Sequence, residues 1–307
     1  MKYIASLPQK IRRAATAPLL GLALLLSGTA VQAQDLAAIK ERGVIRHLGV
    51  PYARFVMGNG EGFDAEIMQL FAKRIGVRYE YVPTDWINVI QDLIGYDVEY
   101  RPEVRTTNKR AIRGDIIANG LTILPPRKKL IDYSQPTFPS AVWLLARSDS
   151  KVTPIVPSGN LAKDIEDTKA KLKEANTFVM DDSCLDPRLY GLEGKGYRLQ
   201  RFSTNASLND MVPAVLKNES EMTLLDVPDI IVSMEKWQGQ IKVIGPISGE
   251  QLMAAGFRKD SPELRREFDA FLNEIKANGT YMQLVNKHYR SAPRYLPEFF
   301  HAPSIKK

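Results

Sequence analysis

The sequence predicts an α/β protein built on open, mainly parallel sheet and divided into two domains. Three observations carry this reading. Between residues 44 and 94, short strand-like apolar runs alternate with amphipathic helical segments. Such alternation lays parallel strands side by side with helices on their faces. The continuous apolar run AVWLLA, residues 141–146, suits a strand covered on both faces. Directly after it, residues 147–159 (RSDSKVTPIVPSG) turn polar and proline-rich, as a crossing into a second domain would. A chain of 307 residues is long enough for each of two domains to bury a core. With 44% hydrophobic and 25% charged residues, wholesale disorder, collagen and coiled coil are excluded.

The elements follow in order. Lys2, Lys10, Arg12 and Arg13 form a basic head without an acid. An apolar run at residues 14–26 and small residues ending Val31-Gln32-Ala33 complete it. This describes a secretory signal peptide, residues 1–33, cleaved after Ala33. The apolar run falls short of the roughly 20 residues that span a bilayer, and no Cys follows it to carry a lipid. Residues 35–42 have helical spacing and stop at Gly43. Residues 44–50 form a strand ending at Pro51-Tyr52. Residues 63–75, with Ile67, Met68, Leu70, Phe71 and Ile75 on one face, form a helix closed by Gly76. Residues 77–82 alternate as a strand and 88–94 read as a helix. The polar stretch 95–114 reads as a long loop, solvated or lying over a cleft. Residues 115–118 form a buried strand. Beyond the polar crossing come a helix at 161–175, a strand at 177–180 and a helix at 208–217. A strand at 222–225, a helix at 228–237 and a strand at 241–244 follow. Residues 252–257 are read as one strand crossing back. Ser261-Pro262-Glu263 opens a helix that stops at Asn278-Gly279, and residues 281–289 form a final helix.

The formal charge of +7 owes four positive charges to residues 1–33. The remainder carries 38 basic and 35 acidic residues, or +3, too little to argue for nucleic acid. The common catalytic and cofactor templates are missing from the sequence: no Walker loop, H-E-x-x-H, C-x-x-C or G-x-S-x-G. The glycines at 58, 60 and 62 have the wrong spacing for a dinucleotide fingerprint and read as a tight turn. The single cysteine, Cys184, follows Asp181 and Asp182, which would raise a thiol pKa rather than activate it. His47, His288 and His301 are scattered, without zinc spacing or an evident triad partner. No cofactor or metal is expected.

The informative segment is residues 115–136, DIIANGLTILPPRKKLIDYSQP. A buried strand runs into a turn carrying Asn119, Gly120 and Thr122, after which Pro125-Pro126-Arg127 opens a helix. Ligands in α/β sheets sit beyond the carboxyl ends of strands. The Arg127 fork there matches a carboxylate. The plainer alternative, on spacing alone, is a solvated arginine beside Lys128 and Lys129.

These residues give the chain a resemblance. It is similar to the periplasmic solute-binding proteins of polar amino-acid transporters, family 3. The matching motifs are Gly62-Phe63-Asp64-Ala65-Glu66-Ile67, Asp85-Trp86, Gly120-Leu121-Thr122-Ile123, Arg127 and Ile131-Asp132-Tyr133-Ser134 with Pro136. Leu225-Asp226-Val227-Pro228, Gly256-Phe257-Arg258-Lys259-Asp260-Ser261 and Asn278-Gly279-Thr280-Tyr281 continue the match. The resemblance spans residues 35–290 and implies a two-lobed periplasmic-binding-protein fold of type II, two Rossmann-like lobes joined by two hinge crossings. Lobe 1 would hold residues 34–146 and 255–307, and lobe 2 residues 147–254, with hinges near 146–148 and 254–257.

The resemblance also implies roles. Arg127 would pair with a ligand α-carboxylate in a wet cleft, with Thr122 and the Gly120 carbonyl beside it. Asp226 would receive the α-ammonium, or act simply as a helix N-cap. Trp86 and Tyr52 would wall the ligand side chain, or pack as plain core. Ser183 and Cys184 stand where the family offers backbone N–H groups and a hydroxyl. Two departures stand out: the segment 95–114 is longer than the family connection, and Asp181-Asp182-Ser183-Cys184 replaces a glycine-rich turn. The segment from Gly114 to Arg127 and the tail after Tyr289 look closest to the solute-binding module of membrane-bound lytic transglycosylases, here without a lytic domain.

The expected function is therefore a monomeric periplasmic receptor, not an enzyme. It would close on a small amino-acid-like ligand and deliver it to the membrane permease of an ABC transporter. One alternative is a cyclohexadienyl dehydratase-like enzyme using Asp226 or Asp229 as general acid. The other is a sensor module reading wall-derived peptides.

Overall fold

Two of the apolar runs become the centres of two five-stranded sheets. The structure, a computed structural model, describes residues 34–301 apart from Asn59 and Asn205. The expected signal peptide lies outside the described residues.

The first part of the chain runs α1 (Gln34–Arg42), β1 (Val44–Gly49), α2 (Phe63–Ile75), β2 (Arg78–Pro83) and α3 (Val89–Ile94). Gly76 ends α2 and Gly95 ends α3, both in the left-handed conformation that glycine adopts freely. Then come β3 (Tyr96–Glu99), β4 (Arg105–Lys109), β5 (Ile116–Ile117), α4 (Pro125–Lys128), β6 (Asp132–Tyr133) and β7 (Phe138–Ser140). The expected loop at 95–114 is thus a correction: β3 and β4 pair with each other as an antiparallel hairpin. Its second strand, RTTNK, is exposed throughout, so no face of it shows the apolar alternation that marks a strand.

The chain continues through β8 (Val142–Arg147), α5 (Leu161–Lys171), β9 (Thr177–Val179), β10 (Leu199–Arg201), α6 (Met211–Leu216), β11 (Met222–Asp226), α7 (Val227–Lys236) and β12 (Ile241–Pro246). It returns by β13 (Gln251–Met253) and β14 (Gly256–Phe257), two strands where one was expected. It ends with α8 (Pro262–Ala277), α9 (Thr280–His288), α10 (Ala292–Tyr295) and α11 (Pro297–His301).

The first sheet has the order β2-β1-β5-β14-β6, with β1 parallel to β2 and β5, and β14 antiparallel to β5 and β6. The second has the order β10-β9-β11-β8-β12, parallel across the first three and antiparallel at β8 and β12. Each sheet takes its antiparallel strands where the chain crosses between the lobes. β7 and β13 form a separate two-stranded ribbon between them, with Ser140 opposite Gln251.

The expected first crossing at 147–159 is corrected by this topology. The run AVWLLA already belongs to the second sheet, because Leu144 and Leu145 are fully buried between β11 and β12. The chain therefore leaves the first lobe at β7, before Val142. Among the described residues, no helix is long and apolar enough to cross a membrane.

Candidate functional site

The carboxyl ends of the parallel strands in both sheets converge on one place, and that convergence builds the site. After β1 the chain turns back on itself, with the Tyr52 amide donating to the Val56 carbonyl at 3.0 Å. Tyr52 is 1% exposed and its ring stacks on Phe55 at 6.0 Å. Phe55 in turn packs on Phe63, Phe138 and Tyr289, so an aromatic cluster fixes Tyr52 from below. Trp86 follows β2 and meets Tyr52 edge to face at 5.5 Å.

The turn after β5 is held by a carboxylate from the matched motif at the start of α2. Asp64, 3% exposed, accepts the Gly120 amide at 2.6 Å. Gly120 has φ +66°, and a Cβ there would lie 2.5 Å from the Phe55 ring, so only glycine fits. Thr122 bridges to Met253 of the hinge ribbon. Arg127 sits in α4, started by two prolines. It is buried, 5% exposed, and donates through Nη1 to the Thr122 carbonyl at 3.2 Å. Its guanidinium lies 5.9 Å from the Trp86 ring centre. Among the described residues it forms no ion pair.

From the second sheet, the turn after β9 presents Ser183 and Cys184. The Ser183 hydroxyl is occupied within the turn: it donates to the Met180 carbonyl at 2.7 Å and accepts the Leu185 amide at 2.9 Å. The Cys184 thiol donates to Asp226 Oδ2 at 3.4 Å. Burial pushes this thiol well up, with the nearby Asp226 charge adding to it. Asp226 ends β11 and caps α7, accepting the Asp229 amide at 3.5 Å, so its cap role is real. Its Oδ1 also accepts a hydrogen bond from the Tyr52 hydroxyl of the other lobe. Burial raises the Asp226 pKa, and the Tyr52 and Cys184 hydrogen bonds pull it part of the way back. Asp229 is buried one turn on and pushed well above the carboxylate range by burial and by Asp226.

All eight residues singled out from the sequence line a single cavity: Tyr52, Trp86, Gly120, Thr122 and Arg127 from the first lobe, Ser183, Cys184 and Asp226 from the second. A ninth, Leu208, was not foreseen; it opens a 3₁₀ turn behind the Ser207 cap and carries no signal beyond that. The cavity is small, about 10 Å³, room for about one water molecule. The lobes are drawn together around it. Besides the Tyr52–Asp226 bond, Asn209 accepts the Ala53 amide at 3.0 Å, and Arg54 pairs with Glu235 at 2.6 Å. Among the described residues, no group of three or more His, Cys, Asp or Glu is placed to hold a metal ion.

Known proteins resemble this chain in sequence and in fold. The family model of the bacterial extracellular solute-binding proteins, family 3, matches residues 49–291. A membrane-bound lytic murein transglycosylase F from Desulfosudis oleivorans is 25% identical over 76% of this chain, covering 45% of its own length. The chain thus spans about half the length of the transglycosylases it matches. The L-cystine-binding protein TcyJ of Escherichia coli is 23% identical over 83% of this chain and 85% of its own. Among solved structures, a variant of ArgBP from T. maritima superposes with a TM-score of 0.65 at 20% identity, over 83% of this chain and 99% of that one. The ancestral amino acid-binding protein AncCDT-1, a precursor of cyclohexadienyl dehydratase, gives 0.62 at 23% identity, over 83% and 98%. The fold is accordingly the two-lobed, type II arrangement.

Proposed function

Because this chain belongs to the bacterial extracellular solute-binding proteins, family 3, we propose that it is a periplasmic receptor that closes on a small amino-acid-like ligand. One observation carries the reading. Among the described residues, a buried guanidinium without a carboxylate partner, Arg127, shares a cavity with a buried carboxylate from the other lobe, Asp226. A buried charge is costly unless paired, so Arg127 is suited to an incoming carboxylate. Asp226 is suited to an ammonium group that replaces the Tyr52 hydroxyl. Binding of the two ends of one zwitterion by different lobes favours closure, since a ligand shifts such an equilibrium only by its differential affinity for the two states. The names of relatives that bind L-cystine and octopine support the ligand class. Export through the expected signal peptide and delivery to an ABC-type permease complete the proposal.

The test is a thermal-shift panel of L-arginine, L-glutamine, L-cystine and related zwitterions. A true ligand at a hundred times its Kd adds about 2.7 kcal/mol to stability and raises the melting temperature. A panel in which no zwitterion shifts the transition would overturn the reading.

A second reading is favoured by the paired buried acids. Asp226 and Asp229 both have raised pKa values, as a general acid of a dehydratase would need. Formation of an aromatic product from prephenate or arogenate would establish it, and no product would exclude it.

A further inference from the structure

Among the described residues, the β3–β4 hairpin pairs with no other strand, yet its tip reaches the second lobe. Arg101, at the tip, places Nη2 3.0 Å from Asp181 and 3.6 Å from Asp182 of the second lobe. The preceding residue, Tyr100, turns inward and is half-buried beside Arg127 and Asp182. Tyr100 lines a second cavity of about 240 Å³. It adjoins the inner one, because Arg127 and Ser183 line both.

The chemistry of this outer compartment is legible from its walls. Tyr100, Leu124 and Pro126 form the first-lobe side, and Leu189 faces them from the second. The acids at the rim are paired within the protein: Arg188 pairs with Asp182 at 2.7 Å and also with Asp186, and Arg101 lies 3.6 Å from Asp182. What remains for an occupant is aromatic and aliphatic surface next to Arg127, the one lining guanidinium outside an ion pair among the described residues. An apolar cavity of about 150 Å³ suffices to bind benzene, and this one is larger.

We propose that the outer compartment is a second binding subsite, which takes an uncharged aromatic or branched aliphatic extension of a ligand whose carboxylate sits at Arg127. The proposal rests on the reading of Arg127 given above, and deepens it. A hairpin whose own residues are mostly exposed then has a purpose: its tip supplies one wall of the subsite and a salt link to the opposite lobe.

Benzyl alcohol tests the compartment without any carboxylate. Titrated into the methyl-labelled full chain, it should give saturable NMR shifts at the Leu124 and Leu189 methyls. The Leu124 response should be lost in Tyr100→Ala and in Leu189→Ser, which alter opposite walls. No saturable shift in the parent protein, or a Leu124 shift that survives both substitutions, would overturn the subsite. Phenylacetate then tests the link to Arg127. It should bind at least tenfold more tightly than benzyl alcohol, and Arg127→Ala should remove that advantage. If phenylacetate had no advantage in the parent while benzyl alcohol still bound, the Arg127 assignment would fail and the compartment alone would stand.

Discussion

Tyr52→Phe isolates one contact between the lobes. The Tyr52 ring is 1% exposed, packed on Phe55 and Trp86 at 6.0 and 5.5 Å, and phenylalanine keeps those contacts. Only the hydroxyl that donates to Asp226 is removed. A hydrogen bond to a charged group contributes about 1.5–3 kcal/mol. At about 1.4 kcal/mol per factor of ten, the closed-to-open ratio should fall by between about tenfold and about 150-fold. Asp226 would keep the Cys184 thiol and the Asp229 amide, both at long range. Its pKa should rise further, because the Tyr52 bond is the strongest influence holding it down against burial. Small-angle scattering reads the first effect as a larger radius of gyration, and carboxyl NMR reads the second. An unchanged scattering profile together with an unchanged Asp226 titration would refute the reasoning.

Three further outcomes are expected. Burial raises Asp64 to about 7 against the Gly120 hydrogen bond, so the folded protein holds a proton there that the unfolded chain has lost; its contribution to stability is present below about pH 4 and is lost as pH rises towards 7. His47, lowered to about 4 by burial, has the opposite slope between 4 and its ordinary 6.5 but is common to both proteins, so the comparison is between parent and Asp64→Asn: as pH rises from about 4 to 7, the parent's melting temperature should fall relative to the variant's. Gly120→Ala forces a Cβ to within 2.5 Å of the Phe55 ring at a positive φ, and should lower chemical-denaturation stability by about 1–3 kcal/mol while displacing the ligand turn; a neutral result would remove the close-packing argument. Cys184, the single cysteine, is 5% exposed with its thiol pKa raised, so labelling by a thiol reagent at pH 8 should be slow and should accelerate in Tyr52→Phe as the cleft opens; equal rates would speak against cleft opening.

Much of the site could be read from the sequence because its residues occupy strand ends, and strand ends are marked by turns. Gly120 and Thr122 follow a buried strand and precede two prolines, and Arg127 follows those prolines, so local signals located these three; Asp226, just before Val227-Pro228, read locally only as a helix cap and was singled out by the resemblance. What the sequence could not supply was their engagement. Ser183 spends its hydroxyl on its own turn, and Asp226 accepts a hydrogen bond from Tyr52, 174 residues away in the chain. The hairpin at 96–109 escaped for a different reason. A two-stranded ribbon with no buried face leaves no periodicity to detect, and its tip matters only through Arg101 and Tyr100 reaching the far lobe. The lobe boundary was misplaced because the polar stretch 147–159 is a surface connection inside the second lobe. The true crossing, at β7, contains Pro139, which weakens any strand signal.

The central claim is that Arg127 and Asp226 grip one ligand from opposite lobes. Titration calorimetry on Arg127→Ala, with a zwitterion identified by thermal shift and the melting transition as a folding control, tests it most directly. Leaving the ligand carboxylate buried without its fork costs about 2–5 kcal/mol, so affinity should fall by well over tenfold. Equal affinity in the folded variant and the parent would contradict the account.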